Sequence, residues 1–122
     1  MRVLIVDDNE AMRRTIRTVV QDLADEILEC SSGLAALESY QTFKPDWVLM
    51  DIRMKDLDGL SATREIKRAF ADARVIIVTS YDELSLREEA AAAGACAYVI
   101  KDNLKQLARL LGPHRNTSSD QA

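Results

Sequence analysis

Short apolar runs alternate along this chain with longer stretches in which apolar residues recur every three or four positions, and that alternation predicts its elements. Val3-Leu4-Ile5-Val6, Trp47-Val48-Leu49-Met50 and Val75-Ile76-Ile77-Val78 are unbroken apolar runs, the pattern of strands buried on both faces of a parallel sheet. The strands predicted in order are Arg2 to Val6, Glu26 to Cys30, the run between Asp46 and Asp51, Arg74 to Thr79, and Ala97 to Ile100. The fourth, rich in β-branched residues, is the clearest. Between the first two strands, Met12, Ile16, Val19, Val20 and Leu23 fall at helical spacing, and Asp7-Asp8-Asn9 offers side chains to cap that helix. Arg13, Arg14 and Arg17 lie off the apolar stripe and read as a solvated face.

Ser31-Ser32 can cap a second helix carrying Leu34, Leu37 and Phe43, which ends before Pro45. Ile52 to Asp58 is a loop with Asp58-Gly59 as its turn signal, and Leu60 to Phe70 is the third helix. Asp82 to Ala93 is an alanine-rich helix closed by Gly94. Leu104, Leu107, Ala108 and Leu111 give a short last helix, stopped by Gly112-Pro113. Five strands alternating with five helices over short connections imply right-handed βαβ crossovers and a parallel sheet. The fold class is therefore α/β, a doubly wound (βα)5 domain. The flavodoxin-like order 2-1-3-4-5 would gather the ends of strands one, three, four and five around one crevice. Periodicity alone does not select that order among doubly wound patterns.

Composition narrows the picture. A chain of 122 residues supports one core and no second one. The net charge of −4 weighs against binding nucleic acid through a basic face. No signal peptide, lipidation motif or run of about 20 apolar residues directs the chain to a membrane, so a cytoplasmic protein is expected. Cys30 and Cys96 lack metal-ligand spacing and read as buried free thiols in a reducing compartment. No internal repeat is present.

The candidate chemistry lies at the carboxyl ends of the strands. Asp51 ends the third strand, and Asp7 and Asp8 follow the first. If those strands are neighbours, three carboxylates meet, and each like-charge pair costs roughly 4 kcal/mol at ~4 Å in an effective dielectric of about 20. Protons or a metal cation must offset that. Thr79 and Lys101 end the fourth and fifth strands, adding a hydroxyl and an ammonium. The set suits a Mg²⁺-assisted phosphoryl acceptor. Asp51 would be the nucleophile, since carboxylates form aspartyl phosphates. Asp7 and Asp8 would hold Mg²⁺, Lys101 would meet the phosphate as a point charge, and Thr79 would donate a hydrogen bond to it. Singly, these are a helix cap, a surface lysine and a strand-forming threonine. Their joint occurrence, each at its own strand end, carries the assignment.

With these residues in these places, the chain resembles a bacterial response-regulator receiver domain over residues 1–111, leaving 112–122 as a polar tail or linker. The matching features are Asp7-Asp8, Asp51, Asp58-Gly59, Thr79, Tyr98 and Lys101, in that order. The resemblance implies a phosphorelay switch rather than an enzyme, in which a histidine kinase or phosphotransfer protein supplies phosphate to Asp51. It further implies that Asp8 and Asp51 bind Mg²⁺ directly, with the Arg53 carbonyl contributing and Asp7 acting largely through water. Thr79 and Tyr98 become a switch pair, the hydroxyl moving to the phosphate and the ring turning inward behind it. Kinase docking falls near Met12 and Thr15. The face of the fourth helix, fifth strand and fifth helix becomes the surface for targets or a homodimer. Arg53 and Tyr81, each two residues past a site residue, would flank the phosphoryl group, hinder an attacking water and lengthen its lifetime.

Three positions depart from that pattern. Lys55 stands where many receivers have proline, Ser80 where a smaller residue is usual, and Asp102 where many have a cis-proline. The Lys101-Asp102 form resembles receivers that carry a helix-turn-helix output domain, and the chain reads either as free-standing or as separated from such a partner half. An aspartate-nucleophile phosphatase would need a second acid at position 53, where Arg53 cannot be a general acid at neutral pH. A flavodoxin-like cofactor binder would need a Ser/Thr/Gly-rich phosphate loop in place of Asp7-Asp8-Asn9-Glu10. A degenerate receiver serving only as a binding module sits poorly with the intact acids, Thr79 and Lys101.

Overall fold

The apolar runs become strands because neither face of the sheet meets water. In a computed structural model that describes residues 1–112, five strands are formed: β1 (Arg2–Val6), β2 (Glu26–Cys30), β3 (Trp47–Met50), β4 (Val75–Thr79) and β5 (Ala97–Ile100). All pair in parallel, in the order β2-β1-β3-β4-β5. Every residue of β3 and β4 is buried, whereas the edge strand β2 alternates exposed and half-buried positions before Cys30. The period of two then sorts the core into layers. Val3, Ile5, Trp47, Leu49, Ile76 and Val78 point to one face and Leu4, Val6, Val48, Met50, Val75 and Ile77 to the other.

The helices divide accordingly. α1 (Glu10–Val20) and α5 (Lys105–Leu111) cover the first face through Ile16, Val20, Leu107 and Leu111. α2 (Ala36–Phe43), α3 (Gly59–Ala69) and α4 (Leu84–Ala93) cover the second through Ala36, Leu60, Ala62, Ile66 and Ala90. Of the three polar residues expected to cap α1, Asn9 does so, its Oδ1 accepting from the Met12 N–H at 2.8 Å. Gly94 closes α4 in the left-handed region at φ 105°. No helix among the described residues is long and apolar enough to cross a membrane.

Several expectations need correction. α2 starts at Ala36 rather than beside Ser31-Ser32; the Ser32 oxygen accepts from the Ala35 N–H in the turn before it, while the Ser32 hydroxyl donates to Asp56. Leu34 thus lies outside the helix and is 65% exposed, while Leu37 and Phe43 do pack on the core. α4 begins at Leu84, since Asp82 instead holds the Arg87 side chain at 2.6 Å. A 3-10 turn over Lys101–Asn103 leads into α5. Arg13 and Arg17 are not a solvated face: they clamp Glu29 on β2 at 3.0 and 2.8 Å, and Arg14 alone of the three is well exposed. Cys30 is buried as expected, but Cys96 is exposed where the chain enters the edge strand β5. Gly112 follows α5, and residues 113–122 of the expected tail, with the Pro113 stop, lie outside the described residues.

One contact fixes the loop after β3. Asp58 caps α3 by accepting from the Ser61 N–H at 2.9 Å, and Gly59 donates to the Ile52 carbonyl at 2.7 Å. A Cβ on Gly59 would collide with the Asp51 carbonyl and come within 2.9 Å of Met50 Cγ, so the start of α3 presses on the end of β3. Gly59→Ala is therefore an overpacking change expected to cost roughly 1–3 kcal/mol, read as a lower urea midpoint with an unchanged slope.

Candidate functional site

Pairing places the acids together. Val6 on β1 sits beside Met50 on β3, so the next residues, Asp7 and Asp51, leave the sheet side by side. Their backbones stay in the ladder, Asp7 N–H donating to the Cys30 carbonyl and Asp51 N–H to that of Val6. Both side chains are buried, Asp7 at 1% and Asp51 at 6% exposure, and Asp8 is half-buried beside them. One carboxylate oxygen from each of the three lies within 4.8 Å of the others. The Lys101 ammonium, delivered by the end of β5, reaches in to 3.0 Å from Asp7 Oδ2 and 3.4 Å from Asp51 Oδ2.

One oxygen of each carboxylate is held by a backbone donor. Asp7 Oδ1 accepts from Asn9 N–H at 2.9 Å, Asp51 Oδ1 from Ile52 N–H at 2.9 Å and Asp8 Oδ2 from Lys55 N–H at 3.0 Å. Asp7 Oδ2 is different. It is buried and has no aligned hydrogen-bond donor, its approach to Lys101 being a charge contact without that alignment. Burial, more than the adjacent charge of Asp7, pushes the Asp51 carboxyl up to about 6, with the Lys101 ammonium opposing the rise. Three clustered carboxylates against one ammonium, with Asp7 Oδ2 buried and lacking an aligned hydrogen-bond donor, fit a small divalent cation of the Mg²⁺ type.

The other predicted residues surround this pocket. Thr79 is fully buried at the end of β4, and its Oγ1 accepts from the Tyr81 N–H over a long 3.4 Å. Tyr98 is half-buried and donates its hydroxyl to the Tyr81 carbonyl at 2.6 Å, with the Arg87 guanidinium 4.6 Å from its ring centre. Arg53 and Tyr81 are not two independent side chains: the guanidinium lies over the tyrosine ring at 4.5 Å. On α1, Met12 is half-buried and packs on the core, while Thr15 is exposed and bonds the Ala11 carbonyl.

Two contributors escape a sequence reading. Arg13 donates to the backbone carbonyl of Asp7 at 2.7 Å, held there by Glu29. The only hint was Glu29 itself, a charge inside a strand pattern. Asp56, in the loop after Asp51, binds across to the segment before α2, and nothing in its spacing announces that.

Comparison with known proteins agrees with this arrangement. Residues 3–111 match the family model of the response regulator receiver domain. The chain is 39% identical over 100 residues to the chemotaxis protein CheY of Halobacterium salinarum, across 82% of this chain and 83% of that protein. It is 36% identical over 104 residues to the uncharacterized transcriptional regulatory protein YhcZ of Bacillus subtilis, across 84% of this chain but 49% of the relative. Among solved structures it is similar to a LuxR-family two-component response regulator from Aurantimonas sp. SI85-9A1, with a TM-score of 0.82 and 28% identity over 88% of this chain and 79% of that one.

The raised Asp51 pKa sets a pH dependence for the metal-free protein. Between about 4 and 6 the folded chain holds a proton at Asp51 that the unfolded chain has released, so stability falls as pH rises through that window. Asp51→Asn removes the effect. Its stability relative to the unsubstituted protein should climb by on the order of 2–3 kcal/mol from pH 4 to pH 7 in chelator, measured by urea unfolding. A flat difference across that range would contradict it.

Proposed function

This chain belongs to the response regulator receiver domain family, and on that premise we propose that it accepts a phosphoryl group on Asp51 from a histidine kinase or phosphotransfer protein, in a Mg²⁺-dependent reaction. The observation that carries the reading is the buried Asp7–Lys101–Asp51 contact with Asp8 beside it, set where four strands end. Asp8 and Asp51 would hold Mg²⁺, helped by the Arg53 carbonyl, with Asp7 acting largely through water. When bound, the ion neutralises charge on the phosphoryl oxygens. In the transfer, a carboxylate oxygen of Asp51 attacks phosphorus, the P–N bond to the donor imidazole breaks, and its electron pair leaves on nitrogen. Lys101 supplies a fixed positive charge beside the acceptor, and burial keeps competing water scarce.

The switch follows from how Tyr81 is held. Its N–H is bonded to Thr79 and its carbonyl to Tyr98, so one residue joins the two sides of the pair. A Thr79 hydroxyl drawn to the phosphoryl group would carry Tyr81 with it and pass the displacement to Tyr98. Arg53 and Tyr81 are stacked on one another, and this stack would shield the aspartyl phosphate from water.

Incubation with a small phosphodonor and Mg²⁺ should add the mass of one phosphate to the intact protein, and Asp51→Asn should abolish the gain. In titration calorimetry, Asp8→Ala is expected to weaken Mg²⁺ binding about tenfold or more, and unchanged affinity would sink its assignment as a ligand. The shield is tested by decay of the phosphorylated protein in excess Mg²⁺. Arg53→Ala/Tyr81→Ala should lose phosphate several-fold faster, and equal rates would remove the shielding role while leaving phosphorylation intact.

A further inference from the structure

The loop between β3 and α3 supplies the Lys55 N–H that holds Asp8, and it carries Arg53; Ile52 is buried and Met54 and Leu57 pack on the core, while Lys55 and Asp56 between them are exposed. What ties this exposed middle to the rest of the chain is Asp56. One of its carboxylate oxygens takes the Ser32 hydroxyl and the Leu34 N–H at 3.4 Å, and the other takes the N–H groups of Gly33 at 3.1 Å and Leu57 at 2.7 Å. Three of those four donors come from the segment between β2 and α2, more than 20 residues away in sequence. The two segments are in close contact there: a Cβ on Gly33 would strike the Leu57 carbonyl oxygen. The Ser32 hydroxyl, together with the N–H groups of Leu57, Gly33 and Leu34, holds the Asp56 carboxyl down to about 2, so it is an acceptor at any physiological pH.

We propose that Asp56 is a positioning residue for the acid pocket: by tying the Ile52–Asp58 loop to Ser32-Gly33-Leu34, it fixes the Lys55 N–H on Asp8 and so sets the Mg²⁺ affinity of the site. The metal half of this rests on the proposed Mg²⁺-dependent function. The mechanical half does not. Asp56 bonds Ser32, Gly33, Leu34 and Leu57 rather than Asp8 or Asp51, and acts through the backbone, one residue from the Lys55 amide. Freed from its four donors, the loop would move as a hinge between Asp51 and the Asp58 cap of α3, and Asp8 would lose its backbone donor.

Hydrogen exchange and Mg²⁺ calorimetry on the whole chain test it. In Asp56→Ala without metal, the Lys55 amide should exchange about tenfold faster while Ile76 and Ile77 in β4 keep their protection. Mg²⁺ affinity should fall roughly tenfold. Asp56→Asn, which keeps an oxygen for Gly33 and Leu57, should restore most of both, and Ser32→Ala should give an intermediate effect in the same direction. Unchanged Lys55 exchange in both Asp56→Ala and Ser32→Ala would overturn the proposal, and so would faster exchange with unaltered Mg²⁺ affinity. If the unsubstituted protein bound no Mg²⁺, the proposed function would fail, and Lys55 exchange would still decide whether Asp56 holds the loop.

Discussion

The rest of this structure is arranged around two carboxylates buried side by side with a single ammonium between them. Burial at the edge of a sheet penalises the charge on Asp51, and Asp7 next to it penalises that charge again. Lys101 offsets part of this, and backbone N–H groups take one oxygen of each acid. A mutual repulsion of several kcal/mol at this spacing persists only because the sheet holds both backbones rigidly, Asp7 on β2 and Asp51 on β1. The site is thus a strained electrostatic arrangement held by an unstrained scaffold. A group bringing positive charge would relieve it.

The scaffold was legible in the sequence because burial on two faces leaves an unmistakable mark. Unbroken apolar runs such as Val75 to Val78 have no other comfortable home in a chain of this size. The strand-end residues were legible for the same reason, since polar groups that directly follow such runs must emerge at the sheet edge. Helix starts were harder to read. Whether Ser32 caps α2 or ties a loop depends on Asp56, which approaches from a distant segment, and local pattern carries no sign of that. Arg13 and Arg17 misled for a similar reason: periodicity places them off the apolar stripe but cannot see Glu29 arriving from β2 to meet them. The expectation that Cys96 is buried followed the general tendency of free cysteine, and its place before an edge strand overrode that tendency.

Lys55 shows how a departure from a family pattern acquires meaning only in the fold. Read as sequence, it is the loss of a rigid proline. In the structure its N–H holds Asp8, and proline has no N–H to offer. Stiffness that a ring would have supplied within the loop comes instead from outside it, through Asp56. The departure therefore exchanges one constraint for another and leaves the acid pocket framed on all sides.

The two loops flanking the pocket are constrained to very different degrees, and this bears on where motion can occur. The loop after β3 is fastened by four donors on Asp56, the Lys55 N–H on Asp8, the Asp58 cap and the tight approach at Gly59. The loop after β4 is fastened by the long 3.4 Å bond from Tyr81 to Thr79, the 2.6 Å bond from the half-buried Tyr98, the solvent-exposed Asp82–Arg87 pair and the Arg53–Tyr81 stack, with Tyr81 40% exposed. An exposed cation–π contact contributes only about 0.5–1 kcal/mol. A perturbation at Asp51 therefore meets a stiff wall on the β3 side and a compliant one on the β4 side. On the proposed function, a Thr79 hydroxyl drawn toward Asp51 would displace Tyr81 and Tyr98 more readily than the acids. Arg53 joins the two walls, rooted in the stiff loop and resting on the soft one. On the proposed function, its stack on Tyr81 is weak enough to yield to a single hydrogen bond from Thr79 to a charged acceptor, whose net worth is roughly 1.5–3 kcal/mol.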